Sequence, residues 1–287
     1  MNKKLAFTLI EILIVIVVVG ILSAFIIVSM NSFTINTNMT KSKAFSNSLR
    51  NSLLMNLVAE WKLDGNANDS WGLNNGIITN ALASNDCVYG SCLSFDSSGD
   101  YITVSHQDEQ IITESITMEA WIKTSTNQTK LYPNIISKYW RYVISGNQGD
   151  NKFRFALSGV GTLITPNDLP FNNWNHVVGT YNKDGGVGNM KIHVNGVVAT
   201  QTTLSGSIVS SVTNSLYIGI ADIAVPNEGF LGLIDEVRLY DKAVPSSQIQ
   251  QTYYSGLNKL LVNHEINSQK YNQRIAILIN NLAGNKE

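Results

Sequence analysis

The distribution of apolar residues changes twice along the chain. Residues 7–28 form an almost unbroken apolar run in which Glu11 is the one ionisable side chain. At 1.5 Å rise per residue, a helix of that length crosses roughly 30 Å of hydrocarbon. Lys3 and Lys4 precede it and hold the N-terminus inside the cell, so everything after Val28 is predicted to lie outside. The sequence then turns polar but keeps a helical beat, with Phe45, Leu49, Leu53 and Leu57 at four-residue steps. No Pro occurs before Pro133, so a continuous helix over 7–59, about 80 Å long, is predicted. Its Asn- and Thr-rich part over 31–38 is where it frays or bends.

At Leu57 the period changes from near four to two. Alternating segments follow at 93–95, 101–104, 116–123, 134–137, 141–145, 152–157, 175–181, 190–194, 197–201, 216–220 and 230–240, punctuated by Gly, Asn, Asp and Ser clusters. Short strands at this spacing, with no amphipathic helix until Pro245, predict a two-sheet antiparallel sandwich. Residues 256–287 read as helix, turn, helix, with Ser268 as the second N-cap and Leu257, Leu260, Leu261, Tyr271, Ile275, Leu278 and Leu282 apolar. That tail either packs on the stalk or a neighbouring subunit, or hangs loose.

Charge changes the picture by exclusion. With 14% charged residues and a net charge of -1, the chain has no basic field for nucleic acid. Its two cysteines, Cys87 and Cys92, flank Gly90 downstream of an export signal, which favours a short-loop disulfide. Two reduced thiols packed as small hydrophobes are the competing reading; a metal site lacks an accompanying His or second Cys pair.

Glu11 is costly in lipid unless neutralised or paired, which marks it as functional. The string Lys3-Lys4-Leu5-Ala6-Phe7-Thr8-Leu9-Ile10-Glu11, followed by Val19-Gly20-Ile21-Leu22, resembles the leader and first helix of type IV pilins and pseudopilins. The resemblance implies cleavage by prepilin peptidase between Ala6 and Phe7, N-methylation of Phe7, and assembly through Glu11, which neutralises the terminal amine of a neighbouring pilin subunit. Ala6 stands where the family usually has Gly, and Val28 where many major pilins have Pro. A secretory signal peptide fits less well, because Leu22-Ser23-Ala24 is a poor cleavage site and the run continues to Val28. A plain signal anchor with Glu11 snorkelling to the interface is the other competing reading.

The head carries many motifs in sequence. Glu60-Trp61-Lys62-Leu63-Asp64, Asp69-Ser70-x-Gly72-x-Asn74-Asn75-Gly76, Ile116-Thr117-Met118-Glu119-Ala120-Trp121-Ile122, Trp174-x-His176-Val177, Val194-Asn195-Gly196 and Ile234-Asp235-Glu236-Val237-Arg238-x-Tyr240 resemble the laminin-G-like, concanavalin A-type jelly roll over about residues 57–255. The resemblance implies a mainly β fold, a two-sheet jelly-roll sandwich behind the long helix. The predicted divisions are a 1–6 leader, a 7–59 helix with its membrane part at 7–28, a 60–255 jelly roll and a 256–287 tail. It also implies a structural Ca²⁺ held by Asp69, Asn75, Asp235 and Glu236, with carbonyls and water completing six to eight oxygens. The alternative is that these side chains cap turns and that Glu236 pairs with Arg238 or Arg141.

For ligand contact the candidates are Trp140 with its neighbours Tyr139 and Tyr142, and Trp71 in the first turn, as flat platforms for sugar rings. Trp61, Trp121 and Trp174 are predicted to be packing residues, and His176 to be buried or hydrogen-bonded. Retaining glycanases on this fold use a Glu-x-Asp-x-x-Glu strand, which is absent; Glu114 and Glu119, five apart, point to opposite faces of a strand. No catalytic residue is therefore predicted. Together the two resemblances imply a pilin-like subunit of a type IV pilus or related filament, displaying a lectin-like head for carbohydrate or a surface protein. Alternatives are a pseudopilin of a type II secretion system, a non-polymerising membrane-anchored lectin, and a glycanase. Its precursor is predicted in the inner or cytoplasmic membrane with the N-terminus cytoplasmic, and its head in a surface filament or the periplasm.

Overall fold

The computed structural model describes residues 56–96, 99–125, 132–147, 150–210, 213–224 and 228–284. The chain divides into two compact units, Met1–Ser52 and Leu53–Glu287, and all described residues belong to the second. The predicted leader, membrane run and most of the 7–59 helix, with Ala6, Phe7 and Glu11, lie outside the described residues. Among those described, no helix is long and apolar enough to cross a membrane.

Fifteen strands are described: β1 (Leu57–Trp61), β2 (Gly76–Thr79), β3 (Leu82–Ser84), β4 (Cys92–Asp96), β5 (Tyr101–Val104), β6 (Ser115–Thr124), β7 (Asn134–Ser137), β8 (Tyr142–Gly146), β9 (Phe153–Leu157), β10 (Gly161–Ile164), β11 (Trp174–Asn182), β12 (Met190–Val194), β13 (Val197–Thr202), β14 (Leu216–Ile218) and β15 (Leu231–Tyr240). Helices α1 (Ser246–Val262) and α2 (Ser268–Gly284) follow. The first sheet runs β13-β12-β11-β6-β15-β4-β3, with β1 also on β15; the second runs β10-β9-β8-β7-β14-β5-β2. All these pairings are antiparallel. Residues 57–59, assigned from sequence to the end of the long helix, are strand instead, because Leu57 to Trp61 bury every side chain against β15.

Period-two alternation makes the sandwich. On β6, Ile116, Met118, Ala120 and Ile122 enter the core between the sheets, while Thr117, Glu119, Trp121 and Lys123 take the other face. Phe153, Phe155 and Leu157 of β9 do the same from the second sheet. The sheets can close because β11 carries Gly179, where an added Cβ would sit 2.5 Å from the Phe155 ring. On β15 the alternation breaks at a bulge: Asp235 opposes Trp121 and Arg238 opposes Glu119, with Glu236 in the left-handed region at φ 51. The extra residue keeps both Ile234 and Val237 in the core and turns Asp235 outward.

The outer face of the first sheet is covered. Tyr253, Leu257, Leu260, Ile266 and Leu278 from the helical region pack on Trp121 and Trp174 and on the Cys87–Cys92 loop. The tail is thus not loose, and α1 runs through residues 255 and 256, where the sequence placed the tail's beginning. The α2 cap is Asn267 rather than Ser268, since Asn267 Oδ1 accepts the Lys270 N–H at 2.8 Å.

Candidate functional site

The predicted metal ligands fall into two separate networks. Asp69 accepts the backbone N–H groups of Glu60 (3.0 Å), Trp71 (2.9 Å) and Asn74 (3.0 Å) and the Asn74 amide (3.0 Å), while Asn75 Oδ1 accepts the Asp69 N–H at 2.9 Å. Burial alone would raise the Asp69 pKa; the N–H groups of Glu60 and Trp71 and the Asn74 amide outweigh it and hold the carboxyl below its usual range. Asp235 instead accepts the N–H groups of Val88 (2.9 Å) and Tyr89 (3.0 Å), and Glu236 pairs with Arg238. Among the described residues, no three His, Cys, Asp or Glu side chains are placed to hold a metal ion. The four predicted calcium ligands therefore do not fit one ion: their oxygens cap a turn, pin a loop and neutralise an arginine.

Under α1 the outer face of the first sheet encloses a charged cluster. Arg238 bonds Glu60 Oε1 at 2.8 Å and Glu119 Oε1 at 3.3 Å besides Glu236, and His176 Nε2 lies 2.9 Å from Glu119. Burial pushes Glu119 up, but the bonds from His176 and Arg238 prevail and lower it. Asp235 has no such cation; burial, with Glu236 adding to it, raises its pKa to about 8 despite the two loop N–H groups. His176, as predicted, is buried and bonded, and it stacks beside Trp121 and Tyr253. This cluster is closed: Glu119 is 1% exposed.

The second sheet presents a different face. The four predicted ligand-contact residues separate here. Tyr139 and Trp140 form the β7–β8 turn, both in the left-handed region at φ 44 and φ 62, a conformation strained for bulky side chains. The turn is closed by Lys138 N–H to Tyr142 O (3.0 Å) and Arg141 N–H to Lys138 O (2.8 Å). Lys138 itself is buried, its Nζ donating to Gln110 Oε1 (2.6 Å) and Asn214 O (2.9 Å) beside His106 Nδ1; burial lowers its pKa to about 8. Tyr139 is left 39% exposed and Trp140 partly exposed. Tyr142, by contrast, is fully buried, in phase with Ile144, and donates its hydroxyl to Gln110 O; it cannot meet a ligand. Trp71, 45% exposed, stands apart at an open cavity of about 500 Å³ lined also by Glu109, Ile111, Glu114, Asp241 and Lys242.

Tyr132 and Arg154 adjoin Trp140, and Tyr101 and Tyr217 pair on the same sheet; sequence reasoning had singled out none of the four for ligand contact. Tyr132 meets Trp140 edge-to-face at 6.5 Å, Arg154 lies 4.9 Å from the Tyr132 ring centroid, and Tyr217 meets Tyr101 edge-to-face at 6.5 Å. The alternation carried a signal for three of them. Arg154 sits between Phe153 and Phe155, Tyr217 between Leu216 and Ile218, and Tyr101 before Ile102; with those neighbours in the core, each must point outward.

The Concanavalin A-like lectin/glucanases superfamily matches residues 96–250, and the prokaryotic N-terminal methylation motif matches residues 1–27. No curated protein sequence matches the chain. Among solved structures, domain 4 of AbnA, a GH43 extracellular arabinanase from Geobacillus stearothermophilus in complex with arabinotriose, superposes with TM-score 0.54 at 20% identity, covering 68% of this chain and 97% of that one. The botulinum neurotoxin serotype D ligand binding domain in complex with N-acetylneuraminic acid gives TM-score 0.56 at 19% identity, covering 73% of this chain and 53% of that one. The binding domain of Paraclostridial Mosquitocidal Protein 1 gives 0.56 at 16% identity, covering 72% and 53%. The chain thus spans about half the length of these toxin domains. With more than half of its residues matched by the family, the chain is a member of the concanavalin A-like lectin/glucanases superfamily, joined to an N-terminal methylation segment.

Proposed function

We propose that the chain is a pilin-like subunit whose jelly-roll head binds carbohydrate, acting as a binding protein rather than an enzyme. The observation that carries the reading is the Tyr139–Trp140 turn, two aromatic residues held at positive φ and left partly exposed on the outer face of the second sheet. Backbone strain of this kind persists where the surroundings enforce it, and it concentrates at binding sites. The buried Lys138 contacts enforce it here. Flat aromatic rings suit the C–H faces of sugars. The arabinotriose and N-acetylneuraminic acid in the related structures concern those proteins, and they agree in kind. At the other end, the methylation segment supports cleavage by prepilin peptidase after Ala6, methylation of Phe7 and assembly through Glu11.

Glycan-array binding by the detergent-solubilised full chain tests the head. Trp140→Ala should weaken the best-bound glycan about 10-fold, the order of one aromatic contact, with the melting temperature little changed. Wild-type binding by that variant refutes the site. A pseudopilin with a head for secreted cargo, or an anchored lectin that never polymerises, is separated by imaging surface filaments.

A further inference from the structure

The outer face of the second sheet holds a polar row that stacking alone does not use. Asn134, Ser145 and Arg154 are cross-strand neighbours on β7, β8 and β9. The Arg154 guanidinium and the Trp140 indole both contact the Tyr132 ring, so cation and platform share one surface. The hydrogen bond of Arg154 among the described residues is a long one, NH1 to Ser145 Oγ at 3.4 Å. No carboxylate of the described residues comes within 4.0 Å of it, in contrast to Arg238 with three. Glu228 is the acid whose field Arg154 feels, and it is 7% exposed.

Two acceptors at the same corner lack donors. Glu228 Oε2 and Asn134 Oδ1 are buried without a hydrogen-bond partner, while Asn134 Nδ2 ties the carbonyls of Tyr132 (2.6 Å) and Glu228 (3.3 Å) together. Orphaned buried acceptors beside an unpaired guanidinium call for a ligand that brings a carboxylate together with O–H or N–H groups. Arginine's fork matches a carboxylate in two parallel bonds, which lysine cannot copy.

Resting on the carbohydrate reading above, we propose that the head selects acidic sugars, of the uronic or sialic acid class, with Arg154 taking the carboxylate and the sugar face lying on Trp140. The test uses the full chain in detergent and calorimetry with the methyl glycosides of N-acetylneuraminic acid and glucuronic acid, each against its own methyl ester and against methyl glucoside. An acid should bind at least ~10-fold more tightly than its ester, the scale of a charge-assisted pair. Arg154→Gln should erase that ratio, Arg154→Lys should restore part of it, and Trp140→Ala should weaken acid and ester alike. Equal binding of acid and ester, or a ratio surviving in Arg154→Gln, overturns the selectivity and leaves carbohydrate binding standing. Failure to bind any sugar overturns both.

Discussion

Arg238 shows how one side chain holds a buried surface in place. It bonds Glu60, Glu119 and Glu236 beneath α1, and its removal would leave three carboxylates without their cation. Breaking a buried pair from one side costs about 3–5 kcal/mol, so Arg238→Met should lower the unfolding free energy in urea by that order; a loss under 1 kcal/mol would contradict the network. Asp235, which accepts the Val88 and Tyr89 N–H groups and pairs with no cation among the described residues, carries a pH signature. Its folded pKa of about 8 lies above the unfolded value of about 3.9. Between those values the folded state holds a proton that the unfolded state has released, so stability falls as pH rises through the window and the loss is complete above about pH 8. His193, lowered to about 4 chiefly by burial with Lys191 and His176 adding, acts oppositely: stability rises with pH between about 4 and 6.5. Thermal melts should therefore stay level between about pH 4 and 6.5, where the two slopes cancel, and fall from there to about pH 8. Asp235→Asn should remove that alkaline fall and leave the His193 rise below it, whereas an unchanged alkaline fall would remove Asp235 as its cause.

Among the elements, the Cys87–Cys92 loop does more than close on itself. The disulfide spans a sequence separation of 5, and loop-closure entropy for so short a ring gives about 2 kcal/mol. The loop is also gripped from both sides: Asp235 accepts its Val88 and Tyr89 N–H groups, and Asn263, the C-cap of α1, donates to the carbonyls of Cys87 and Val88. Reduction should therefore cost about 2 kcal/mol overall and raise amide exchange selectively in the last turn of α1; uniform exchange would show that the loop and helix are uncoupled. At this scale much was legible. The bounds of β5, β7 and β12 equal those read from the sequence; β5 and β12 carry core residues at every second position, whereas β7 turns adjacent Ile135 and Ile136 inward across a bulge. The short strands β2, β3 and β10 were missed; all are sheet edges inside turn-rich sequence, where a few half-covered residues leave no alternation to read. Tyr142 was misplaced by its adjacency to Trp140, although its phase with Ile144 already pointed it inward. Arg154 was overlooked because a lone arginine on a strand has no meaning until the fold shows which carboxylates come near it; among the described residues Glu228 acts on it only through its field.

For the whole molecule, the division after Ser52 separates two tasks that different residues should control. The head has its own continuous core, running from Val58 on β1 to Leu239 on β15, so changes near the N-terminus should leave its folding and its ligand affinity unaltered. Glu11 belongs to the other task. A carboxylate in hydrocarbon costs several kcal/mol unless it is neutralised, and the processed Phe7 amine of a neighbouring subunit is the proposed counter-charge. Glu11→Ala removes the cost along with the pairing, so the variant should insert in the membrane at least as well as the natural chain yet fail to enter filaments. Its mature N-terminus should still read as N-methyl-Phe7 by mass spectrometry, since cleavage between Ala6 and Phe7 does not involve the acid. Fractionation decides the matter: sheared surface filaments should lack the variant while the membrane fraction retains it, with the head's melting temperature and glycan affinity equal to wild type. Glu11→Ala recovered in filaments at wild-type abundance would make the acid a bystander and turn the chain into an anchored lectin.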